Sequence, residues 1–261
     1  MEFFDLSGTV FLGLALGSFA TALSYRLPRG ISIVTVERSQ CPVCQKDLGM
    51  ADLVPLFSWI FLRGKCRHCR APIGWRYPVI ELATLAVCLL FYSVYGLRPE
   101  TLLIFTLAPV AVSIIDIDLR YKIIPDSLNL AILLTGVAAL CVDAALNGSP
   151  LIFFMEKGVA ALGGALLYGL GALLLRQGVM RTMKREPMGL GDVKFFAAAG
   201  FWMGISAYAA ALFMIVSGVS GIILSSIWKK RTGEAEFPFG PSLILAFIAV
   251  LWFFPPAFVG M

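Results

Sequence analysis

Continuous apolar runs, each long enough to cross a lipid bilayer, restrict this chain to very few folds. A spanning helix needs roughly 20 predominantly apolar residues. Eight such runs lie at about 8–25, 78–97, 101–118, 127–146, 153–175, 192–207, 209–227 and 239–257, the sixth and seventh parted only around Gly204. The runs are continuous rather than alternating, so they read as helices and not as barrel strands. Hydrophobic residues make up 59% of the 261 and charged residues 14%, a balance foreign to soluble domains. The expected fold class is an all-α polytopic membrane protein with about eight transmembrane helices and one small cytoplasmic domain.

Charge placement orients the bundle. Of 21 Lys and Arg, nine fall between Arg26 and Arg76, two are Arg120 and Lys122, four run from Arg176 to Arg185, and three are Lys229, Lys230 and Arg231. These share one face if the spans alternate, while Arg98 and Lys157 lie on the other and Lys194 sits just inside a span. The positive-inside rule makes the crowded face cytoplasmic and puts both termini outside. The net charge of +5 is then a topology signal, and no nucleic-acid partner is expected. Met1-Glu2-Phe3-Phe4-Asp5 lacks the basic start of a cleavable signal peptide, so the first span is expected to stay as an anchor. The expected organisation is a first transmembrane helix at 1–26, a cytoplasmic segment at 27–77 and a membrane bundle at 78–261, with no internal repeat.

The cytoplasmic segment holds Cys41-Pro42-Val43-Cys44 and Cys66-Arg67-His68-Cys69, two CxxC pairs separated by 21 residues. Two such turns can aim four thiolates at one ion, the pattern of a tetrahedral structural zinc site. A loop of this size has little core of its own, and a metal can fix its fold. Disulfides are the competing reading, disfavoured on a reducing face. Four cysteine ligands leave no open position, so the role is structural. His68 is the sole histidine and reads as a solvated loop residue. Mechanisms that need a histidine base therefore have none to spare. Cys88 and Cys141 lie within apolar runs and read as small core residues.

Ionisable groups at membrane depth are expensive and mark function. Asp118 closes the third run and Asp192 opens the sixth, both on the cytoplasmic side of the expected topology, so they arrive at one depth on one face. Two carboxylates close together cannot both ionise: one keeps a proton and acts as acid while the other acts as base toward water. Gly189 and Gly191, beside Asp192, permit close backbone approach. Asp116 competes with Asp118, but two residues apart on a helix they point roughly 200° apart, so at most one faces the partner. Asp126, after Pro125, reads as the cap of the fourth span.

With these residues in place, the chain resembles the type 4 prepilin peptidase family, a branch of the GxGD intramembrane aspartic proteases. Gly17-Ser18-Phe19 followed by Tyr25-Arg26-Leu27-Pro28 resembles its N-terminal signature, with Thr21 where the family commonly has Asn. The two CxxC pairs enclose Val54-Pro55-Leu56-Phe57-Ser58-Trp59 and Leu62-Arg63-Gly64-Lys65, and Arg76-Tyr77-Pro78 with Glu81 follows. The family's first catalytic aspartate stands seven residues before the proline of its D…PD pattern, which selects Asp118 over Asp116. The second belongs to GxGDxK, here Gly189 to Lys194, preceded by Arg185-Glu186. Phe237-Pro238-Phe239-Gly240-Pro241 matches the signature of the last span.

The resemblance implies a bifunctional enzyme of the bacterial inner membrane with its active site at the cytoplasmic face. It would cleave the basic leader of type IV prepilins or type II secretion pseudopilins, then N-methylate the new N-terminal residue with S-adenosylmethionine. It also links methyl transfer to the cytoplasmic domain, including the glycine that matches Gly64. The alternative is a membrane transporter with proton-relay carboxylates, which predicts acidic residues near mid-membrane rather than at span ends.

Overall fold

The protein is described from a computed structural model, which covers residues 2–33, 38–98, 101–146, 150–183, 188–234 and 236–256. Its helices in chain order are α1 (Glu2–Arg26), α2 (Phe57–Phe61), α3 (Arg76–Tyr95), α4 (Leu102–Phe105), α5 (Leu107–Tyr121), α6 (Asp126–Leu146), α7 (Pro150–Phe153), α8 (Val159–Met183), α9 (Leu190–Met203), α10 (Ala207–Thr232) and α11 (Gly240–Phe253). Among the described residues there are no strands, only isolated bridges in the cysteine segment. Six helical stretches are long and apolar enough to cross a membrane. The fold is an all-α, multi-pass membrane protein.

All eight apolar runs are helical at their centres, but two of the helices are short. Helices α9 and α11 have 14 residues each, about 21 Å of rise. Gly204, at φ 62°, ends α9, and α10 begins after Ser206, whose side chain caps it by accepting the Ala209 N–H. The weak sequence boundary between the sixth and seventh runs is therefore a real break. Exposed Leu166, Leu170 and Leu174 on α8, with Ile215, Val219 and Ile222 on α10, present apolar faces that suit a lipid environment.

The chain forms two compact units, residues 1–97 with 108–116 and residues 98–107 with 117–261. In the first, α1 packs along α3, and Ala20, Ile80 and Val112 form a buried cluster. In the second, α9 lies among α6, α8 and α11 and buries nine of its fourteen residues. A series of edge-to-face rings, Tyr168–Phe213, Phe196–Phe213 and Phe195–Phe247, fills this core. Cys88 is buried as expected. Cys141 is exposed instead, on the outer face of α6, because an apolar run does not reveal which of its faces meets the core.

Helices α8 and α9 touch backbone to backbone. A Cβ on Gly200 would lie 2.6 Å from the Gly164 carbonyl oxygen, and one on Gly164 would strike the Gly200 carbonyl. Membrane helices have little hydrophobic drive to associate, so close approach through small residues supplies the packing. Gly200→Ala should destabilise the protein in detergent by about 1–3 kcal/mol or more, as overpacking does. Gly171→Ala, on the same α8 but with nothing within 4 Å of its Cβ position, should leave the unfolding midpoint unchanged or slightly raised. Thermal unfolding of both variants checks this, and equal midpoints would contradict the packing.

Candidate active site and metal centre

Asp118 sits near the end of α5 and is 4% exposed. Burial of a carboxylate demands a partner, and the partner is backbone: the Gly240 N–H donates to Asp118 Oδ2 at 2.6 Å. The local sequence explains this bond. Gly240 is the first residue of α11 and Pro241 follows within the first turn. First-turn amides have no intrahelical acceptor, so the Gly240 N–H points away from its helix, with the positive end of the helix dipole behind it. A Cβ at Gly240 would lie 2.9 Å from Asp118 Oδ2 and 3.1 Å from its Cβ and Cγ, so only glycine permits the approach. The glycine of the last-span signature thus has a specific task that the sequence alone did not disclose.

Asp192 lies in the first turn of α9, half-buried, and its Oδ2 accepts the Gly189 N–H at 2.9 Å. It interacts electrostatically with Asp118. The connector after α5 brings the two helix ends together. Lys122, at φ 54°, closes α5 with its N–H on the Asp118 carbonyl. Ile124 then packs on Gly191, where an added Cβ would lie 2.9 Å from the Ile124 carbonyl oxygen. The close approach that Gly191 permits is therefore to the connector of its partner helix. Asn129 Nδ2 donates to the Gly191 carbonyl at 3.0 Å, and Lys194 pairs with Asp126 at 2.6 Å. Asp126 opens α6 in this ion pair. On the far side of the connector, Lys122 Nζ and Trp228 Nε1 both reach Glu234 Oε2, at 2.6 and 3.2 Å. The Lys122 hydrogen bond holds the Glu234 carboxyl below its ordinary range.

Asp116 is engaged elsewhere. Arg76 Nε and one terminal nitrogen bind its two oxygens at 2.7 Å each, and that same nitrogen donates to the Ser24 carbonyl at 3.2 Å. A bidentate guanidinium–carboxylate pair is a strong structural tie. The two aspartates thus take separate partners, as their opposed directions on one helix require. Asn129, a lone amide within the apolar run of α6, is a further polar group that ties this helix to the start of α9. Arg185-Glu186 lies outside the described residues.

The four cysteines Cys41, Cys44, Cys66 and Cys69 converge, with all four sulfurs within 4.8 Å of one another and Cys41 Sγ 3.9 Å from Cys69 Sγ. A tetrahedron with metal–sulfur bonds of about 2.3 Å has edges of about 3.8 Å, so the cluster has the size of a metal site. Exposed His68 is not among the converging groups. The two turns are built alike. The Cys41 N–H donates to Lys46 O and the Gln45 N–H returns to Cys41 O; the Cys66 N–H donates to Ala71 O and the Arg70 N–H returns to Cys66 O. Gln45 and Arg70 both have positive φ, 56° and 61°. The likeness of the two CxxC pairs therefore extends beyond the cysteines into the backbone hydrogen bonds that close each turn. The Cys44 amide, with other hydrogen bonds, lowers the Cys41 thiol to about 7. The Ala71 amide favours the Cys69 thiolate, but desolvation and the other three sulfurs outweigh it and push Cys69 up to about 11. Four thiolates resist sharing one place unless a cation joins them.

Comparison with known proteins bears on this arrangement. The family model "Bacterial Peptidase A24 N-terminal domain" matches residues 11–95, and "Type IV leader peptidase family" matches residues 103–226. A "Prepilin leader peptidase/N-methyltransferase" of Burkholderia pseudomallei is 32% identical over 281 residues, covering 98% of this chain and 87% of the relative. A "Type 4 prepilin-like proteins leader peptide-processing enzyme" of Escherichia coli is 32% identical over 260 residues, covering 92% of this chain and 91% of the relative. A "Prepilin leader peptidase/N-methyltransferase" of Neisseria gonorrhoeae is 31% identical over 264 residues, covering 90% and 86%. No solved structure gives a significant match. With two family models in sequence along its length and relatives aligned nearly end to end, the chain belongs to the type IV leader peptidase family.

Proposed function

We propose that this protein is a prepilin leader peptidase and N-methyltransferase whose catalytic pair is Asp118 and Asp192. The observation that carries the reading is the buried Asp118 carboxylate, fixed by the Gly240 amide on a helix whose connector packs Ile124 against Gly191, the residue before Asp192. In this pair one carboxyl holds a proton and the other is ionised. The ionised member takes a proton from water as its oxygen attacks the scissile carbonyl; the protonated member gives its proton to the carbonyl oxygen. As the tetrahedral intermediate collapses and the C–N bond breaks, the carboxyl that took the water proton gives it to the leaving nitrogen, and the other carboxyl takes back a proton from the diol hydroxyl, so the pair returns to its starting state. The Gly240 amide keeps Asp118 from turning away, and the Gly191–Ile124 contact keeps α9 against the connector. Proximity of this kind replaces an entropic cost that water would otherwise impose on the step.

The substrate class follows from the setting. A type IV prepilin or type II pseudopilin has a basic leader ahead of an apolar helix. The basic residues of this chain on the expected cytoplasmic face support a pair near that same boundary, with the enzyme in the inner membrane. S-adenosylmethionine would supply a methyl cation equivalent to the freed N-terminal amine. Methyl transfer needs no carboxylate dyad, so the two activities are assigned to different parts of the chain: the peptidase to the bundle at 78–261, the transferase to the cytoplasmic segment at 27–77 and its surroundings. Zinc on Cys41, Cys44, Cys66 and Cys69 would hold that segment.

Asp118→Asn and Asp192→Asn should each lower leader cleavage in detergent by roughly 10³-fold or more while the protein still folds, since neither carboxyl can serve as both acid and base. Asp116→Asn should keep most of the activity and lose stability through Arg76 instead. An inactive Asp116 variant beside an active Asp118 variant would overturn the assignment. The purified protein should carry about one zinc per chain, lost in Cys41→Ser and Cys66→Ser, with the segment after Leu27 then opened to proteolysis. Metal analysis without zinc, and oxidised thiols in the native protein, would point to disulfides.

A further inference from the structure

The first compact unit contains a cavity of about 730 Å³ that the peptidase chemistry does not use. Small-molecule sites run from about 300 to 1,000 Å³. Three kinds of residue line it: aromatic Tyr25, Trp59 and Tyr77, acidic Glu81, and polar or cationic Ser18 and Arg38.

The wall is built with care at two points. A Cβ on Gly17 of α1 would lie 2.8 Å from the Glu81 Cα of α3, so glycine sets these helices close at the level of Glu81. Glu81 Oε2 then accepts the Leu56 N–H at 2.7 Å, and among the described residues Oε1 has no partner. Leu56 has a φ of 61° and directly precedes α2, the short helix that carries Trp59. A strained non-glycine conformation persists only where its surroundings hold it, and Glu81 is one such hold. The second point is Gly64, at φ 65°, where an added Cβ would lie 3.0 Å from the Trp59 ring. Trp59 Nε1 donates to the Ile73 carbonyl at 3.1 Å, and its ring packs on Trp75 with centroids 4.6 Å apart. Gly64 therefore supports an aromatic wall without itself reaching the cavity.

Resting on the methyltransferase reading, we propose that this cavity binds S-adenosylmethionine, with Glu81 and Trp59 as its principal contacts and Gly64 as a positioning residue. The donor carries a flat purine, a sulfonium cation and a carboxylate. The cavity offers aromatic faces for the purine and the cation, an anion at Glu81 and a guanidinium at Arg38. A lipid tail would leave Glu81 and Arg38 without a counterpart, at a desolvation cost. Gly17-Ser18-Phe19, the four-cysteine clip, Gly64 and Glu81 then serve one site.

The test is equilibrium dialysis of radiolabelled S-adenosylmethionine against the full-length protein in detergent. Glu81→Gln keeps an acceptor for the Leu56 amide and removes the charge; Trp59→Leu removes the ring; Gly64→Val displaces it. Each should weaken binding by roughly tenfold or more while zinc content stays at the wild-type level. Glu81→Gln should also keep the wild-type unfolding midpoint, whereas Gly64→Val, strained at φ 65°, and Trp59→Leu, which loses the Ile73 bond, should lower it. Ultraviolet cross-linking of the bound donor to wild-type protein should label peptides containing Trp59 or Tyr77, a readout that needs no variant to fold. Wild-type affinity in all three folded variants, or labelling confined to residues beyond 100, would overturn the cavity assignment and leave the methyltransferase reading standing. Failure of the wild-type protein to bind the donor, together with no methyl mass on a pre-cleaved pilin, would overturn both.

Discussion

The hydrogen bond from the Gly240 amide to the Asp118 carboxylate joins the main requirements of this molecule at one point. It gives a buried carboxylate the partner that membrane depth demands. It uses an amide that every helix start leaves unsatisfied. It also fixes α11 against the end of α5, at a spacing no larger residue than glycine allows. A side chain donor would have introduced its own rotamers and its own need for support. A backbone amide at a proline-stiffened helix start has neither. The proposed catalytic carboxylate is thus oriented by the fold itself.

The same economy recurs wherever two helices must meet closely. Gly164 and Gly200 let α8 and α9 touch, Gly17 lets α1 reach α3 at Glu81, and Gly191 admits the connector after α5. In a lipid setting, where apolar surface gains little from mutual burial, such contacts carry much of the packing. Two 14-residue helices, α9 and α11, are too short to dominate by length. They are held instead by buried contacts around Phe195 and Phe247. Their first turns hold Gly240 and Asp192, so these two short helices supply the amide and the second carboxylate of the proposed site.

Much of this was legible in the residues and some was not. Apolar run length gave all eight helices because the bilayer imposes it. The separation of Asp116 from Asp118 followed from helical geometry, and the convergence of four cysteines followed from the CxxC spacing. The outward face of Cys141 was hidden, since an apolar run looks the same on both sides. The roles of Gly240 and Gly64 were hidden for a different reason. A glycine marks a close approach but does not say to what, and the partners, Asp118 and Trp59, are fixed only by tertiary structure. The likeness of the two cysteine turns lies in backbone hydrogen bonds and positive φ at Gln45 and Arg70, which their side chains do not advertise.

The central claim is that Asp118 and Asp192 act as one unit on one water. Groups that act as a unit are non-additive when removed. The most direct measurement compares leader cleavage by Asp118→Asn, Asp192→Asn and the double variant under saturating substrate. A shared-proton pair predicts that the double variant cleaves at about the rate of either single variant, within a few-fold. A double variant slower by the product of the two single losses would show two independent contributions and contradict the pair.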